Sequence, residues 1–529
     1  GRDELLTAVA GRYGEAAGRA AGELLSTDPL VGALPARMPS FPAWLRPAGL
    51  PQVLLASADG DGDGSSGGGG NGGSGALPES AARHLVTMLA LSAPGKPYPG
   101  LAQVRAVCTP ESLAAFCWAV FEQWRLAGMP AKDRWALHSL GEFGDDGTAR
   151  LLAPVLRGWP AHKVNRRAVD GLDVLVAIGT DAALTQLCGL NRRPGGKHLG
   201  EYAARRIEAV AARRGLSPEQ LADRLVPDLG LGPDGSTVID YGVRTFTVGF
   251  DEQLRPYVRD SDGRRRKDLP APDARDDAEL ATAERRRFTA LKKDARALAT
   301  DQSARLETAM ITQRSWSAGE FTDLLAGHPL LGHLVRRLVW TANGATAFRV
   351  AEDRTLTDAH DRPFRLPTDA VVRLAHPLHL GPDLTAWAEL FADYEIIQPF
   401  PQLGRTVRRF TEEEAAGNRL HRFEGHTVPI GRLLGMTKRG WQRGTPMDAG
   451  IERWFHKPLP DGRHLVLDIF PGIAVGAVAH LGDQTLTAVR VGTDPDDHRR
   501  TGRAPVRLGD LDALTASELL AELEELTSL

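Results

Sequence analysis

The sequence predicts an α+β protein in which an N-terminal α-helical repeat is followed by a mixed module of helices and antiparallel strands. Two observations predict this organisation. Between about residues 78 and 231, apolar residues recur at helical spacing in one segment after another. From residue 235 onward, β-branched and aromatic residues alternate with polar ones and are separated by turn signals, a pattern typical of short antiparallel strands.

Length and composition narrow the class of protein. A chain of 529 residues corresponds to about three or four domains. The 64 basic and 67 acidic residues leave a formal net charge of -3, which gives no global attraction to nucleic acid or to an anionic membrane. With only three cysteines and no apolar run long enough to span a membrane, we expect a cytoplasmic protein that has no membrane partner.

Two segments of the chain, residues 1–57 and 58–76, precede the predicted helical repeats. Residues 1–57 hold a short helical stretch and a proline-rich apolar segment, which we expect to pack on the next domain. Residues 58–76 are rich in Gly, Asp and Ser. Alternating aspartates begin this range as in a calcium loop, but Gly70 stands where the loop needs a bidentate glutamate. The composition therefore favours a flexible linker over a metal site.

An internal repeat is visible within the helical range 77–234. Leu140, Phe143-Gly144, Asp146 and Leu152 superpose on Leu175, Ile178-Gly179, Asp181 and Leu187, with an offset of 35 residues between Gly144 and Gly179. This pattern resembles HEAT-type repeats, in which glycine ends one helix and a polar residue caps the next. The resemblance implies a HEAT-like solenoid that offers a binding surface to protein partners.

Three ranges complete the chain: a β-meander at 235–271, an α+β domain at 272–507 and an acidic helix at 508–529, for which we expect Thr515 and Glu518 to form the cap. A long helix begins the α+β domain, and four strands between residues 450 and 492 are predicted to end it. Basic residues at 264–267 and 285–293 could meet the phosphates of DNA. The alternative is a solvated helix face, because acidic residues are interspersed.

The segment Arg314–Trp340 is predicted to form two amphipathic helices. Ser317 and Glu320 have capping-box spacing, and Pro329 suits the first turn of the second helix, which we expect to reach Trp340. Two histidine pairs have spacings compatible with metal ligands, but no third ligand is near, so capping or structural roles are favoured. These pairs are His328 with His333 and His376 with His379.

Several ordered segments resemble the MolR-type domain of unknown function, a bacterial domain found C-terminal to WGR domains. The segments are RSWSAGEFTDLLAGHPLLGHLVRRLVW, FRVAEDRTLTD, ADYEIIQPFPQLGR, RFEGHTVPIGRLLG and RGWQRGTPMDAG, and the resemblance extends over roughly residues 78–490. It implies a regulatory role beside other proteins of bacterial stress or defence systems. Because the chain shows no recognisable WGR domain, the resemblance gives little support to DNA binding.

No catalytic motif is recognisable, so the best candidate for a site is a set of polar residues in the α+β domain. A buried arginine needs an anion or carbonyl partner, and a tryptophan beside an arginine suits a nucleotide or a phosphorylated ligand. The alternative is internal hydrogen bonding, with an Arg443–Asp448 ion pair. The candidate residues are Arg336, Arg337, Gln398, Gln402, Arg405, Trp441, Arg443 and Asp448.

These observations lead to three hypotheses of function, none of which requires a cofactor. The first is a noncatalytic scaffold or regulatory component of a multi-protein bacterial stress or defence system. The second is a nucleotide- or phosphate-ligand-binding enzyme or sensor that uses the polar set. The third is a DNA-associated transcriptional regulator that uses the two basic runs.

Overall fold

A computed structural model shows a protein of α-helices and antiparallel β-sheets. It describes residues 2–19, 21, 41–56, 75–159, 165–192, 197–447, 450–474, 482–496 and 506–528, so that nearly all of the predicted linker lies outside the described residues. The chain divides into two compact units, Gly1–Pro227 and Asp228–Leu529. None of the described helices is both long enough and apolar enough to cross a membrane.

The first unit is helical. The core of its helices also takes in Leu45 and Val53, which are 7% and 1% exposed, so the proline-rich segment packs on the helices as predicted. The helices are α1 (Arg2–Tyr13), α2 (Glu79–Leu91), α3 (Gly100–Val107), α4 (Pro110–Leu126), α5 (Trp135–Phe143), α6 (Asp146–Gly158), α7 (Asn165–Ile178), α8 (Asp181–Arg192), α9 (Lys197–Arg213) and α10 (Pro218–Arg224).

The repeated segments form two layers of helices. Helices α5, α7 and α9 pack side by side in one layer, and α6 packs on α8 in the other. The repeated leucines at 140, 152, 175 and 187 are all buried between them. Asp145 caps the N-terminus of α6, because its side chain accepts a hydrogen bond from the Thr148 N–H. The Thr180 hydroxyl caps the N-terminus of α8 by accepting a hydrogen bond from the Ala183 N–H. The capping residues are thus one position earlier than the aspartates of the repeat.

Neighbouring helices of the first unit approach closely and are joined by ion pairs. A Cβ at Gly171 of α7 would lie 2.2 Å from Leu156 Cδ2 of α6, so this contact needs a glycine unless Leu156 moves. Within the layer of α5, α7 and α9, Arg134 pairs with Asp170 at 3.1 Å and Arg206 pairs with Asp173 at 2.5 Å. Successive helices are therefore held by the same two kinds of contact, apolar packing and a charged pair across the layer.

The described part of the second unit contains three antiparallel sheets. The first has the order β1-β2-β3-β4, the second β5-β9-β6-β7-β8 and the third β10-β14-β13-β12-β11. Their strands are β1 (Thr237–Asp240), β2 (Thr245–Phe250), β3 (Pro256–Arg259), β4 (Arg265–Arg266), β5 (Ser315–Ser317), β6 (Trp340–Ala342), β7 (Thr346–Val350), β8 (Leu356–Thr357), β9 (Val371–Leu374), β10 (Thr427–Val428), β11 (Gln442–Arg443), β12 (Ile451–Pro458), β13 (His464–Ala474) and β14 (Gln484–Gly492).

One long helix and one C-terminal helix pack against these sheets. The long helix α11 contacts β1, β9, α13 and α18, so it touches several parts of the unit. The helices are α11 (Ala278–Ile311), α12 (Ala318–Glu320), α13 (Leu331–Val335), α14 (Pro377–Leu380), α15 (Leu384–Asp393), α16 (Glu412–Ala416), α17 (Ile430–Met436) and α18 (Ala513–Thr527). A short π-helical stretch, Phe321–Ala326, continues α12.

The structure differs from the predictions in three places. The helix after Pro329 ends at Val335, and Trp340 lies in strand β6, where its indole N–H donates to the Val335 carbonyl. Residues 464–474 form one bulged strand where the sequence predicted parts of two. The C-terminal helix is capped by Asp512, which accepts from the Thr515 N–H, rather than by Thr515 and Glu518. Glu518 is free for a tertiary role.

Candidate functional site

The two adjacent arginines of the candidate set lie at the end of α13, and only one of them is fully buried. Arg337 is 7% exposed, and its guanidinium donates to the carbonyls of His333 and Ile397, each at 3.0 Å. Arg336 is half-buried, and burial followed by the charge of Arg354 lowers its pKa. Two of the Arg337 donors are therefore bonded to carbonyl oxygens of the same unit.

The two glutamines form a structural bridge. Gln402 is 0% exposed; its Oε1 accepts from the Val339 N–H at 2.9 Å, and its Nε2 donates to the carbonyls of Val339 and Ala375 at 2.7 and 2.8 Å. Gln398 donates to Gln402 Oε1 and accepts from the Leu403 N–H. The rigid loop between them is thus attached to the backbone next to β6 and β9, and every polar atom of the Gln402 amide is used.

Arg405 lies at the centre of a largely buried charged network. Its guanidinium donates two hydrogen bonds to the Glu518 carboxylate, at 2.7 and 2.6 Å, and one to Glu307 at 2.8 Å. The buried His376 ring lies 3.2 Å from Glu518 through Nε2, while its Nδ1 accepts from the Leu378 N–H. This pairing assigns the ring proton to Nε2, which donates to Glu518.

The ionisation of Glu518 follows from these partners. Burial alone raises the pKa of a carboxyl group, but hydrogen bonds from His376 and Arg405 outweigh burial and lower the pKa of Glu518 from 4.5 to about 2. The same hydrogen bond raises the pKa of Arg405. Because both groups stay charged at neutral pH, the network is a stable ion pair that joins α11, α18 and the loop before residue 405.

Trp441 and Arg443 also have partners within the chain. Trp441 is 2% exposed in an apolar core, and its indole N–H donates to Glu522 at 2.7 Å. Its ring faces are therefore covered, and the predicted stacking surface is not available. Arg443 pairs with Glu452 on the neighbouring strand β12. The predicted partner, Asp448, lies outside the described residues.

The acidic residues of the C-terminal helix α18 complete this arrangement, and sequence reasoning did not assign them. Each acid that pairs with a base reaches a different part of the unit. The described pairs are Glu518 with Arg405, Glu522 with Lys457, Glu524 with Arg408 and Glu525 with Arg439. A sequence feature that could have indicated these ion pairs is the charge complementarity between the acidic helix and the basic stretch 405–457. Without the fold, that signal cannot say which residues meet.

The structure therefore brings the candidates together in two groups rather than in one pocket. Arg337, Gln398 and Gln402 form the first, and Arg405 with Trp441 lies along α18 in the second. Three cavities among the described residues are lined by other side chains. The arrangement can hold secondary-structure elements together, because many of the donors in these groups are already bonded within the unit.

The histidines have structural roles at helix starts, as the sequence favoured. His328 Nδ1 accepts from the N–H groups of Leu330 and Leu331. The His379 ring accepts from the His376 N–H and completes a cap. His333 differs, because its Nδ1 is buried without a hydrogen-bond partner, and burial together with Arg336 and Arg337 lowers its pKa to about 4. Among the described residues, no group of three or more His, Cys, Asp or Glu residues is arranged to hold a metal ion.

Fold and site together define a protein with a helical unit and an α/antiparallel-β unit in which most of the polar candidates bond to other parts of that unit. A domain of unknown function (DUF4132) is found at residues 263–441, which includes α11 and most of the candidate residues. The chain is 36% identical over 98% of its length to an uncharacterized protein of Escherichia coli (strain K12), YehI. It spans 41% of that relative. No solved structure matches.

Proposed function

We propose that the chain is a noncatalytic scaffold or regulatory component of a multi-protein bacterial system, in agreement with its resemblance to the MolR-type domain. One observation carries the proposal. Arg337, Gln402, Arg405 and Trp441, the most chemically able residues of the candidate set, are hydrogen-bonded to backbone or carboxylate groups of the same unit. A reaction needs groups that face a substrate, whereas these groups are bonded to other parts of their own unit.

The two helical layers support a binding role for the first unit. We infer that α5–α9 form a HEAT-like solenoid, since equivalent helices pack in register and the repeated leucines are buried between them. The first unit carries exposed apolar side chains that a partner could cover: Leu126 of α4 is 78% exposed and Leu151 of α6 is 53% exposed. Single exposed leucines are common, so the experiment has to measure binding.

The test is the size of the assembly that the chain forms at native abundance in its bacterial host. The tagged chain is purified after mild crosslinking, and its mass is measured in solution. We expect a stoichiometric complex that Leu151→Asp weakens, while the control Val371→Asp, at a site 40% exposed in the second unit, leaves the complex intact. Recovery of the monomer alone would contradict the proposal.

A second measurement separates this proposal from the nucleotide- or phosphate-sensor alternative. The purified chain is heated with and without ATP, GTP or inorganic phosphate, and the unfolding temperature is compared. We expect no stabilisation that depends on Arg443, because its guanidinium is paired with Glu452. A shift in unfolding temperature that is lost in Arg443→Ala would favour the sensor over the scaffold.

A further inference from the structure

One face of the long helix α11 carries basic side chains that the fold leaves in solvent. Arg285, Thr289, Lys292, Lys293, Arg296 and Thr300 fall within an arc of about 100° around the helix axis, at about 100° per residue, so they share one side of the helix. Phe288, Leu291 and Ala295 are buried on the other side. The packed side of α11 thus orients the basic face outward.

Few acids neutralise this face. Lys292 pairs with Asp268 at 3.2 Å, and Arg285 donates to the Pro270 carbonyl at 2.8 Å, which leaves the net charge of Arg285 uncompensated. Lys293 and Arg296 are exposed and have no acidic partner among the described residues. Arg287 is turned to another side, where it bonds Glu284, Thr237 and the Val238 carbonyl.

The face borders an open groove with a volume of about 530 Å³. Its described lining consists of Thr289, Lys292, Lys293, Arg296, Ala297 and Thr300. The described set combines three cations with two threonines, whose hydroxyls donate to the backbone carbonyls of Arg285 and Arg296, and it includes no carboxylate and no aromatic ring. Cationic side chains are among the groups that contact phosphate oxygens in nucleic-acid backbones.

The second basic run of the sequence lies next to this groove. Residues 264–267 lead into Asp268 and Pro270, which are the residues that contact Lys292 and Arg285 of α11. In the same sheet, the guanidinium groups of Arg259 and Arg265 lie over the Tyr257 ring at 5.3 and 4.0 Å, and both side chains are exposed. Two runs that are separated in sequence are therefore neighbours in the fold, which extends the positive surface beyond one helix.

We propose that this surface, the basic groove of α11 and the adjoining 264–267 segment, binds the phosphodiester backbone of double-stranded nucleic acid. The cations lie along a straight helix, so that Arg285 to Arg296 span roughly 16 Å at about 1.5 Å per residue. That length is commensurate with several successive phosphates of a duplex, which carries one charge per roughly 1.7 Å of its axis. Single-strand binders stack bases on aromatic rings, and the described lining of the groove contains none.

Acidic groups nearby pair with some of these cations: Arg266 pairs with Asp260 and Lys292 with Asp268, each at 3.2 Å. Asp294 follows Lys293 by one residue and Glu284 precedes Arg285, but one residue corresponds to about 100° around a helix, which places these acids at the margins of the face. Binding of this kind is independent of sequence and falls steeply with salt. This binding would add to the proposed scaffold role, because it would attach the protein to nucleic acid without catalysing a reaction.

The test measures binding of the full chain to a fluorescent duplex of about 20 base pairs by anisotropy, from about 50 to 300 mM salt. Three proteins are compared: wild type, Lys293→Glu/Arg296→Glu and the control Arg365→Glu/Arg409→Glu. The control changes the net charge equally, at exposed arginines of the same unit that do not line the groove. Circular dichroism confirms that all three proteins are folded.

We expect the groove variant to bind at least about tenfold more weakly and to lower the salt slope by about 2, as for the loss of two phosphate contacts. The control should lose less than about threefold, and a single strand should bind more weakly than the duplex. Absence of binding at low salt, equal losses in both variants, tighter binding of the single strand, or displacement of the duplex by polyglutamate at equal charge would each overturn the proposal.

Discussion

The helices α11 and α18 are both highly charged, but the fold uses their charges in opposite ways. On α18, Glu518, Glu522, Glu524 and Glu525 each meet a basic residue from another part of the second unit. On α11, Lys293 and Arg296 extend into solvent beside an open groove. A run of charged residues in a sequence can therefore form either a joint, which is a set of ion pairs that holds elements of the fold together, or a solvent-exposed charged surface. Only the positions of the opposite charges distinguish the two.

The difference follows from where the two helices lie. The α18 residues Leu519, Leu520 and Leu523 are buried in the core of the third sheet, so neighbouring glutamates are held close to the arginines that surround that core. The α11 residues 285–296 have their apolar side against the unit. On their basic side, Lys292 and Arg285 contact Asp268 and Pro270, whereas Lys293 and Arg296 have no acidic partner among the described residues. Because α18 is buried, its glutamates form a joint with other parts of the unit. Because the basic side of α11 is exposed, its cations remain accessible to a ligand.

The largest effect on stability is expected at the centre of the joint. Glu518→Gln leaves the largely buried Arg405 with only one carboxylate partner, Glu307, and should lower the free energy of unfolding by about 3 kcal/mol. Glu524→Gln removes a pair whose acid is 42% exposed and should cost less than about 1 kcal/mol. Urea unfolding of both variants checks the difference. Equal losses would mean that α18 is held by apolar packing alone.

Acid should break the joint within a defined pH window. The folded pKa of Glu518 is about 2 and its usual pKa is 4.5, so its stabilising contribution is complete above pH 4.5 and is lost as the pH falls towards 2. The loss amounts to up to about 3 kcal/mol. Unfolding free energies measured across this window should fall less steeply in Glu518→Gln than in the wild type. Parallel pH profiles would show that Glu518 is not the titrating group.

Gln402 should have an effect of intermediate size. Replacement by Leu keeps much of the side-chain volume but leaves the Val339 N–H and the Ala375 carbonyl buried without partners, which should cost about 2 kcal/mol. Gln398→Leu, in a less buried residue of the same bridge, is the matched control and should cost less. Thermal unfolding of the two variants ranks them. A larger loss of stability for Gln398→Leu than for Gln402→Leu would show that Gln402 is not the main link in this bridge.

The smallest effect on stability is expected on α11. Lys293→Glu/Arg296→Glu should change the free energy of unfolding by less than about 0.5 kcal/mol, because both side chains are exposed and have no acidic partner among the described residues. The same urea measurement checks this value. A loss of several kcal/mol would show that these cations stabilise the fold and would remove the contrast between the two helices.

Local sequence signals predicted local structure well. Ser317 and Glu320 form the predicted capping box, and Phe288, Leu291 and Met310 lie in the buried stripe of α11. The end of α13 was missed because Trp340 fits a helical apolar stripe equally well, and its pairing with Leu374 and Phe348 in the sheet comes from distant residues. Apolar periodicity cannot contain that information.

The candidate site was harder to predict for the same reason. Gln402 and Trp441 were singled out as candidate ligand-binding residues, whereas in the structure they bond to Val339 and Glu522, which lie 63 and 81 positions away. A need for a hydrogen bond is visible in a sequence, while its satisfaction by Val339 or Glu522 depends on the packing of strands and helices. The sequence therefore indicated which residues matter more reliably than what they contact.

The most direct test of this account is a double-mutant cycle between Arg405 and Glu518. Unfolding free energies are measured by urea for the wild type, Arg405→Met, Glu518→Gln and the double variant at neutral pH. A structural joint predicts a coupling energy of about 2 kcal/mol or more between the two positions. A coupling energy near zero, with both single variants fully stable, would contradict the account and would return Arg405 to the set of residues available for a ligand.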